Sequence, residues 1–198
     1  MPGHVHRYLP ATDPSRTPLV LLHGTYGTET DLLPSAGEVA PGAARLSVRG
    51  TVAMDTGYAF FRRHPDRRVD EADLAARIPE LAHLITRRLT EPPIALGFSN
   101  GAIMAAALLA TRPGLLSSAI LLRPLSPFAD LPHPLEGVPV LLIDGTEDTR
   151  RAPDDGPRLA EQLRRAGASV THRRLRTGHL PTPGDIVLAR EWLEDRGL

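Results

Sequence analysis

Gly97-Phe98-Ser99-Asn100-Gly101 reads G-x-S-x-G. A serine flanked in this way sits on a sharp strand-to-helix turn, in a strained backbone conformation that pushes its hydroxyl into the open. Side chains two positions away on either side would collide across that turn, so glycine is needed there. The surroundings fit. A buried run at 94–96 leads into the motif, and an almost wholly apolar run at 102–110 leads out of it. The plainer reading is a serine that caps a helix at a glycine-rich turn.

A hydroxyl attacks only with a neighbouring base, and the base needs a third group to fix its tautomer. Of the 8 histidines, His133, His172 and His179 follow Ser99. Chains built around such an elbow run serine, then acid, then histidine. His133 precedes the acid candidates. His172 lies within a polar strand pattern, where a surface role is expected. His179, in Thr177-Gly178-His179-Leu180, follows that strand and is chosen as the base. The acid is expected after the strand at 138–143, within Asp144-Gly145-Thr146-Glu147-Asp148. Asp148 lies beyond the glycine turn and is chosen, with Glu147 and Asp144 kept as alternatives. Asp154 and Asp155 read as the opening charges of the next helix. Negative charge developing on a carbonyl oxygen needs fixed N–H donors. The amide of Asn100, at a helix start, supplies one. The loop His23-Gly24-Thr25-Tyr26-Gly27 supplies the other, assigned to Thr25, with His23 read as a brace of that loop.

These residues need a scaffold that gathers strand ends. Short apolar runs at 19–22, 45–48, 94–98, 119–122 and 138–143, and a more polar one at 169–173, read as strands, the last at an edge. Helical patterns fall between them. Leu74, Ile78, Leu81, Leu84, Ile85 and Leu89 recur at spacings of three and four. Helices are also expected at 100–110, at 157–166 ending before Gly167, and after Thr182, which can cap a helix opening on Pro183 with Asp185 complementing its dipole. Strands alternating with helices predict a mostly parallel sheet covered on both faces, with the ligand site at the carboxyl ends of the strands. Every reactive candidate above falls just after a strand.

The chain has 198 residues, 41% of them hydrophobic, which suits one globular domain over 1–198. Acidic and basic residues balance at 23 each, which argues against a nucleic-acid or anionic-membrane partner. There is no cysteine, which excludes disulfides, thiolate zinc sites and a cysteine nucleophile. No two-histidine helix spacing points to a metal. Met1-Pro2-Gly3-His4-Val5-His6-Arg7 has no apolar segment of the signal-peptide kind, and no run approaches the roughly 20 apolar residues of a membrane span. The expectation is a cytoplasmic protein. A homodimer stays open, because no helix face shows a clear surplus of exposed apolar residues.

Leu21-Leu22-His23-Gly24-Thr25, Ser47-Val48-Arg49-Gly50, Phe60-Phe61-Arg62-Arg63, the serine motif, Leu121-Leu122-Arg123-Pro124, Gly145-Thr146-Glu147-Asp148, Gly178-His179 and Glu191-Trp192-Leu193 run in this order over nearly the whole chain. In them the sequence resembles the α/β-hydrolase superfamily. Within it, the chain is similar to the bacterial phospholipase/carboxylesterase group, which includes hydroquinone-resistance-type carboxylesterases and is related to acyl-protein thioesterases. The resemblance implies a serine esterase with no cofactor and no metal, and places the triad on Ser99, Asp148 and His179. Two departures touch the rim of the site. Tyr26-Gly27 stands where the group usually has Gly-Gly, and Arg151-Ala152-Pro153 stands where its acid loop usually has a hydrophobic residue before proline.

Many relatives carry a lid near 122–139. Here that stretch is short and proline-rich, so an open cleft without a substantial lid is expected, suited to small acyl or aryl esters. The resemblance suggests Tyr26, Phe60 and Phe61 as apolar contacts, and Arg62 or Arg123 as partners of a substrate carboxylate. Core packing for the aromatics, and an ion pair or loop brace for the arginines, stand as equal readings. The leading expectation is ester hydrolysis through an acyl-enzyme on Ser99. The same residues would serve an acyltransferase, a thioesterase or a cyclase, and a non-catalytic binding module on this fold is a third reading.

Overall fold

The computed structural model describes residues 3–198. Met1 and Pro2, which open the segment read for a signal peptide, lie outside them. The strands are β1 (His6–Leu9), β2 (Leu19–Leu22), β3 (Arg45–Val48), β4 (Val52–Ala53), β5 (Tyr58–Ala59), β6 (Ile94–Phe98), β7 (Ser118–Leu122), β8 (Pro139–Gly145) and β9 (Ser169–Leu175). The helices are α1 (Leu33–Val39), α2 (Glu71–Arg88), α3 (Asn100–Thr111), α4 (Asp155–Arg165) and α5 (Pro183–Glu194). Seven strands form one sheet in the order β1-β3-β2-β6-β7-β8-β9. Only β1 runs antiparallel to its neighbour. β4 and β5 form a separate two-stranded ribbon.

The central strands are apolar along almost their whole length, Ser118 of β7 and Asp144 of β8 apart, because both of their faces are covered. Val20 and Leu22 of β2, Ala95 of β6, Ala119 and Leu121 of β7, and Val140 and Leu142 of β8 enter one core with α2, α3 and α4. The alternate residues, among them Leu19, Leu21, Ile94, Leu96, Ile120, Leu122, Leu141 and Ile143, enter a second core with α1 and α5. The two-residue period of the strands thus deals side chains to two helical layers. α3 is the helix with no polar face: residues 100–110 are all buried.

The order of strands places the site. From β2 the chain leaves through α1, on one face, to β3. From the neighbouring β6 it leaves through α3, on the other face, to β7. The loops after β2 and β6 therefore part, and a crevice opens at the carboxyl ends of these two strands. Residues 123–138 contain neither helix nor strand, so no helical lid covers it. Among the described residues, no helix is long and apolar enough to cross a membrane.

Candidate active site

Ser99 sits at the end of β6 with φ 52° and ψ −106°, the strained conformation its motif predicts. Its N–H donates to Leu122 O (2.9 Å), which ties the turn to β7. A Cβ on Gly97 would lie 2.7 Å from Gly101 O and from Ala102 Cα, a collision across the turn. Gly101 is required for a different reason. A Cβ there would lie 2.0 Å from Leu22 O, so the elbow is pressed against the end of β2.

His179 Nε2 stands 2.9 Å from Ser99 Oγ, and His179 Nδ1 stands 2.7 Å from Asp148 Oδ2. The carboxylate can only accept from Nδ1–H, which leaves Nε2 as the acceptor for the serine proton. The other Asp148 oxygen accepts from Arg150 N–H (2.7 Å). Burial works against the Asp148 charge, but the bonds from His179 and Arg150 outweigh it and hold the carboxyl below its ordinary range. Burial also pushes the His179 imidazolium down. Asp148 acts in the opposite sense, and the charges of Arg151 and Arg150 add to the depression.

The acid and base loops are zipped together. Thr146 N–H donates to Leu175 O (2.8 Å) and Glu147 N–H to Thr177 O (3.0 Å). Gly145 allows this approach, since a Cβ there would lie 2.3 Å from Thr177 O. Of the other acid candidates, Glu147 is exposed and paired with Arg176, and Asp144 is paired with His172 (2.6 Å), so neither meets His179.

The loop after β2 turns sharply, with Gly27 N–H donating to Gly24 O (3.1 Å) and Tyr26 at φ 69°. Thr25 N–H, inside this turn, has no backbone acceptor among the described residues, and Asn100 N–H is the free first amide of α3. Thr25, Ser99 and Asn100 line one cleft of about 690 Å³. His23 braces the loop as expected. Its ring bonds Gly24 O through Nδ1 (2.7 Å) and accepts Gly50 N–H at Nε2 (3.0 Å). The Asn100 side chain accepts Phe60 N–H (2.7 Å) and donates to Phe61 O (3.3 Å), a brace that its motif position does not announce.

Of the five suggested substrate contacts, Tyr26, Phe61 and Arg62 line the cleft. Two need correction. Phe60 is fully buried in the core and packs its ring on His23. Arg123, also fully buried, gives its guanidinium to Asp185, a group the sequence places only as a dipole partner of α5. Arg123 also donates from Nε to Gly178 O (3.1 Å) and from Nη2 to Leu180 O (3.4 Å), and so grips the residues on either side of His179. It positions His179 and does not reach the cleft.

One residue at the centre was missed. Arg151 Nη2 donates to Ser99 Oγ (3.0 Å), and its Nε to Arg123 O (2.8 Å). The only sequence signal for it was its place in an acid loop where related chains carry a hydrophobic residue.

A Ser–His–Asp hydrogen-bond chain beside two free amides can generate a serine nucleophile and stabilise an oxyanion. The chain is similar to a hydrolase and to carboxylesterases. The chain is 35% identical over 184 residues to a Bacillus subtilis protein named as a hydrolase, MhqD, covering 89% of this chain and 92% of that one. A Bacillus cereus carboxylesterase structure superposes with a TM-score of 0.93 at 35% identity, over 97% of this chain and 94% of that one. A Mesorhizobium loti carboxylesterase structure gives 0.91 at 31% identity, over 96% and 94%. No family model matches the chain.

Proposed function

Since the chain belongs to the α/β-hydrolase superfamily, in its carboxylesterase group, we propose that it cleaves small carboxylic esters through an acyl-enzyme on Ser99. The observation that carries this reading is the unbroken chain from Ser99 Oγ through both nitrogens of His179 to Asp148. Ser99 Oγ attacks the ester carbonyl carbon while its proton passes to His179 Nε2. Asp148 holds the ring and stabilises the imidazolium that forms. The carbonyl oxygen becomes an oxyanion between the Thr25 and Asn100 amides. Collapse expels the alcohol, which takes the proton from His179. Water then attacks the acyl-enzyme and gives a proton to His179; the bond to Ser99 Oγ breaks, the serine takes that proton back, and the free acid leaves. Arg151 directs this ground state: by donating to Ser99 Oγ it leaves the serine proton to point at Nε2.

The test uses p-nitrophenyl esters of short acids and a fluorophosphonate probe. The wild type turns over and is labelled on Ser99, as read by peptide mass spectrometry. Ser99→Ala, with unchanged circular dichroism, loses label and about 10³-fold or more of its rate, as removal of a triad nucleophile requires. A folded wild type that neither turns over nor takes the probe overturns the reading. Adding alcohols or thiols as competing acceptors reports whether water or another nucleophile takes the acyl group.

A further inference from the structure

Five arginines, Arg62, Arg63, Arg67, Arg150 and Arg151, line the cleft that holds Ser99, and not one aspartate or glutamate does. In a chain with equal numbers of acidic and basic residues, this is a local imbalance that the fold has built. Arg62 is neutralised by Asp73 (3.2 Å). Among the described residues, the guanidinium groups of Arg63, Arg67, Arg150 and Arg151 have no carboxylate within 4.0 Å. These four form one wall, shared with the depression next to the cleft. Much of the remaining lining is apolar, including Val52, Met54, Phe61, Phe98 and Leu180.

Arg67 and Arg150 are exposed, whereas Arg63 and Arg151 are set back from solvent, so the inner half of this wall is more than a solvated rim. Arg63 Nε is shut off from solvent and has no hydrogen-bond partner among the described residues. Arg151 is half-buried, and among the described residues its guanidinium donates to neutral acceptors alone: Ser99 Oγ, Arg123 O and Arg150 O. Burial, then the charge of Arg63, draws the Arg151 pKa down to about 10, against the opposite pull of the more distant Asp148 and Asp155. Facing cations in a partly dry site are costly unless an anion joins them.

We infer that the substrate of this site is an ester that carries its own carboxylate, received by Arg151 and Arg63 beside the scissile bond. The inference rests on the esterase reading above and names its substrate class. Arg151 fixes the spacing, because it touches the nucleophile. A reacting carbonyl carbon stands about 3 Å from Ser99 Oγ, and a guanidinium binds a carboxylate oxygen at about 2.8 Å, so only a short spacer separates the two groups, as in a succinyl half-ester. The anion also does something a neutral ester does not. It offers Arg151 a charged acceptor in place of Ser99 Oγ, and a serine oxygen relieved of that cationic donor is the better nucleophile. A neutral ester leaves the contact in place.

The test sets the intact protein on two matched pairs. Monomethyl succinate against methyl levulinate places or removes the charge on the acyl side. The para-acetoxybenzoate anion against its methyl ester does so on the leaving side. The charged member of at least one pair is expected to lead in kcat/KM by about tenfold, the scale of a desolvated charge-assisted contact, and the leading pair reports the side. In Arg151→Gln that ratio falls towards one, in Arg151→Lys part of it returns, and in Arg87→Gln, an equal loss of charge on the exposed end of α2, it stays. Ratios of one or less in both pairs, or a ratio that survives Arg151→Gln, overturn the inference. Calorimetry of monomethyl succinate and methyl levulinate with Ser99→Ala reads the same preference without chemistry. A wild type that hydrolyses none of these esters while the variant still prefers the anion sinks the esterase reading and keeps the carboxylate site. An active wild type with no preference does the reverse.

Discussion

Asp185 receives both terminal nitrogens of Arg123, at 2.6 and 2.9 Å, and both side chains are 0% exposed. Arg123 follows β7 at φ 53° and grips the carbonyls of Gly178 and Leu180, so an ion pair in the core of the molecule holds the loop that carries His179. Removing one partner strands the other charge in a dry place. Asp185→Asn is expected to cost about 3–5 kcal/mol of stability, as loss of half a buried pair does. Urea denaturation checks this. A midpoint equal to the wild type would deny the brace its role. The apolar double variant Arg123→Met/Asp185→Leu should lose less than the two single changes summed, because it leaves no orphan charge.

The contrast between that pair and the Ser99 motif explains what the chain discloses before folding. The elbow is local. Five consecutive residues carry its glycines and serine, and the strand and helix beside them show as apolar runs. α2 declared itself by its apolar spacing and Asp70 caps it, and β9 showed its edge position by its polarity. Asp148 and His179 could be placed because each follows a strand. Arg123 and Asp185 are 62 positions apart, and nothing periodic joins a strand end to a helix start across that distance. β1 and α1 gave no signal either. His6-Arg7-Tyr8-Leu9 alternates poorly, and α1 has seven residues with the poor helix former Gly37 in its middle, so both elements owe their form to the sheet they pack on. Arg151 lay hidden because it is a loop side chain, whose direction is set by tertiary contacts alone.

The pH dependence of turnover should carry the mark of Arg151. Burial, together with the charges of Arg151 and Arg150, holds His179 below the ordinary imidazole value of 6.5. In the proposed mechanism His179 accepts a proton and works only when neutral, so the acid limb of kcat/KM should fall below that value. Arg151→Gln removes a cation that favours the neutral ring. The limb should then move to higher pH, by less than it would if burial were relieved as well. A limb that stays in place would mean that Arg151 does not act on His179 through its charge.

Asn100 separates a backbone role from a side-chain role. Its amide is the donor proposed for the oxyanion, whereas its side chain holds Phe60 N–H and Phe61 O. Asn100→Ala keeps the amide and leaves a buried N–H without a partner, which should cost about 1–3 kcal/mol. The Phe61 wall of the cleft loosens, so KM should rise more than kcat falls. Steady-state kinetics beside a melting curve separates the two. A collapse of kcat at unchanged KM would assign the side chain to the transition state instead.

His23 should make the fold acid-sensitive, and the sign follows from its bonds. Nε2 accepts Gly50 N–H and Nδ1–H donates to Gly24 O, so the ring is bound in its neutral form, and burial drives its pKa below 6.5. In the unfolded chain the same imidazole takes a proton near its ordinary value, about 6.5. Below that pH the unfolded state therefore holds more protons than the folded one, and stability falls as pH falls. The contribution is complete above the unfolded value and is lost as pH drops through the folded one. Other groups titrate in this window, His179 among them, so the quantity to follow is the difference in unfolding free energy between the wild type and His23→Gln. That difference should shrink steadily as pH falls below 6.5, since the variant has no proton to gain. A difference independent of pH would show that His23 is not held neutral, and the loop after β2 would then owe its shape to its glycine turn alone.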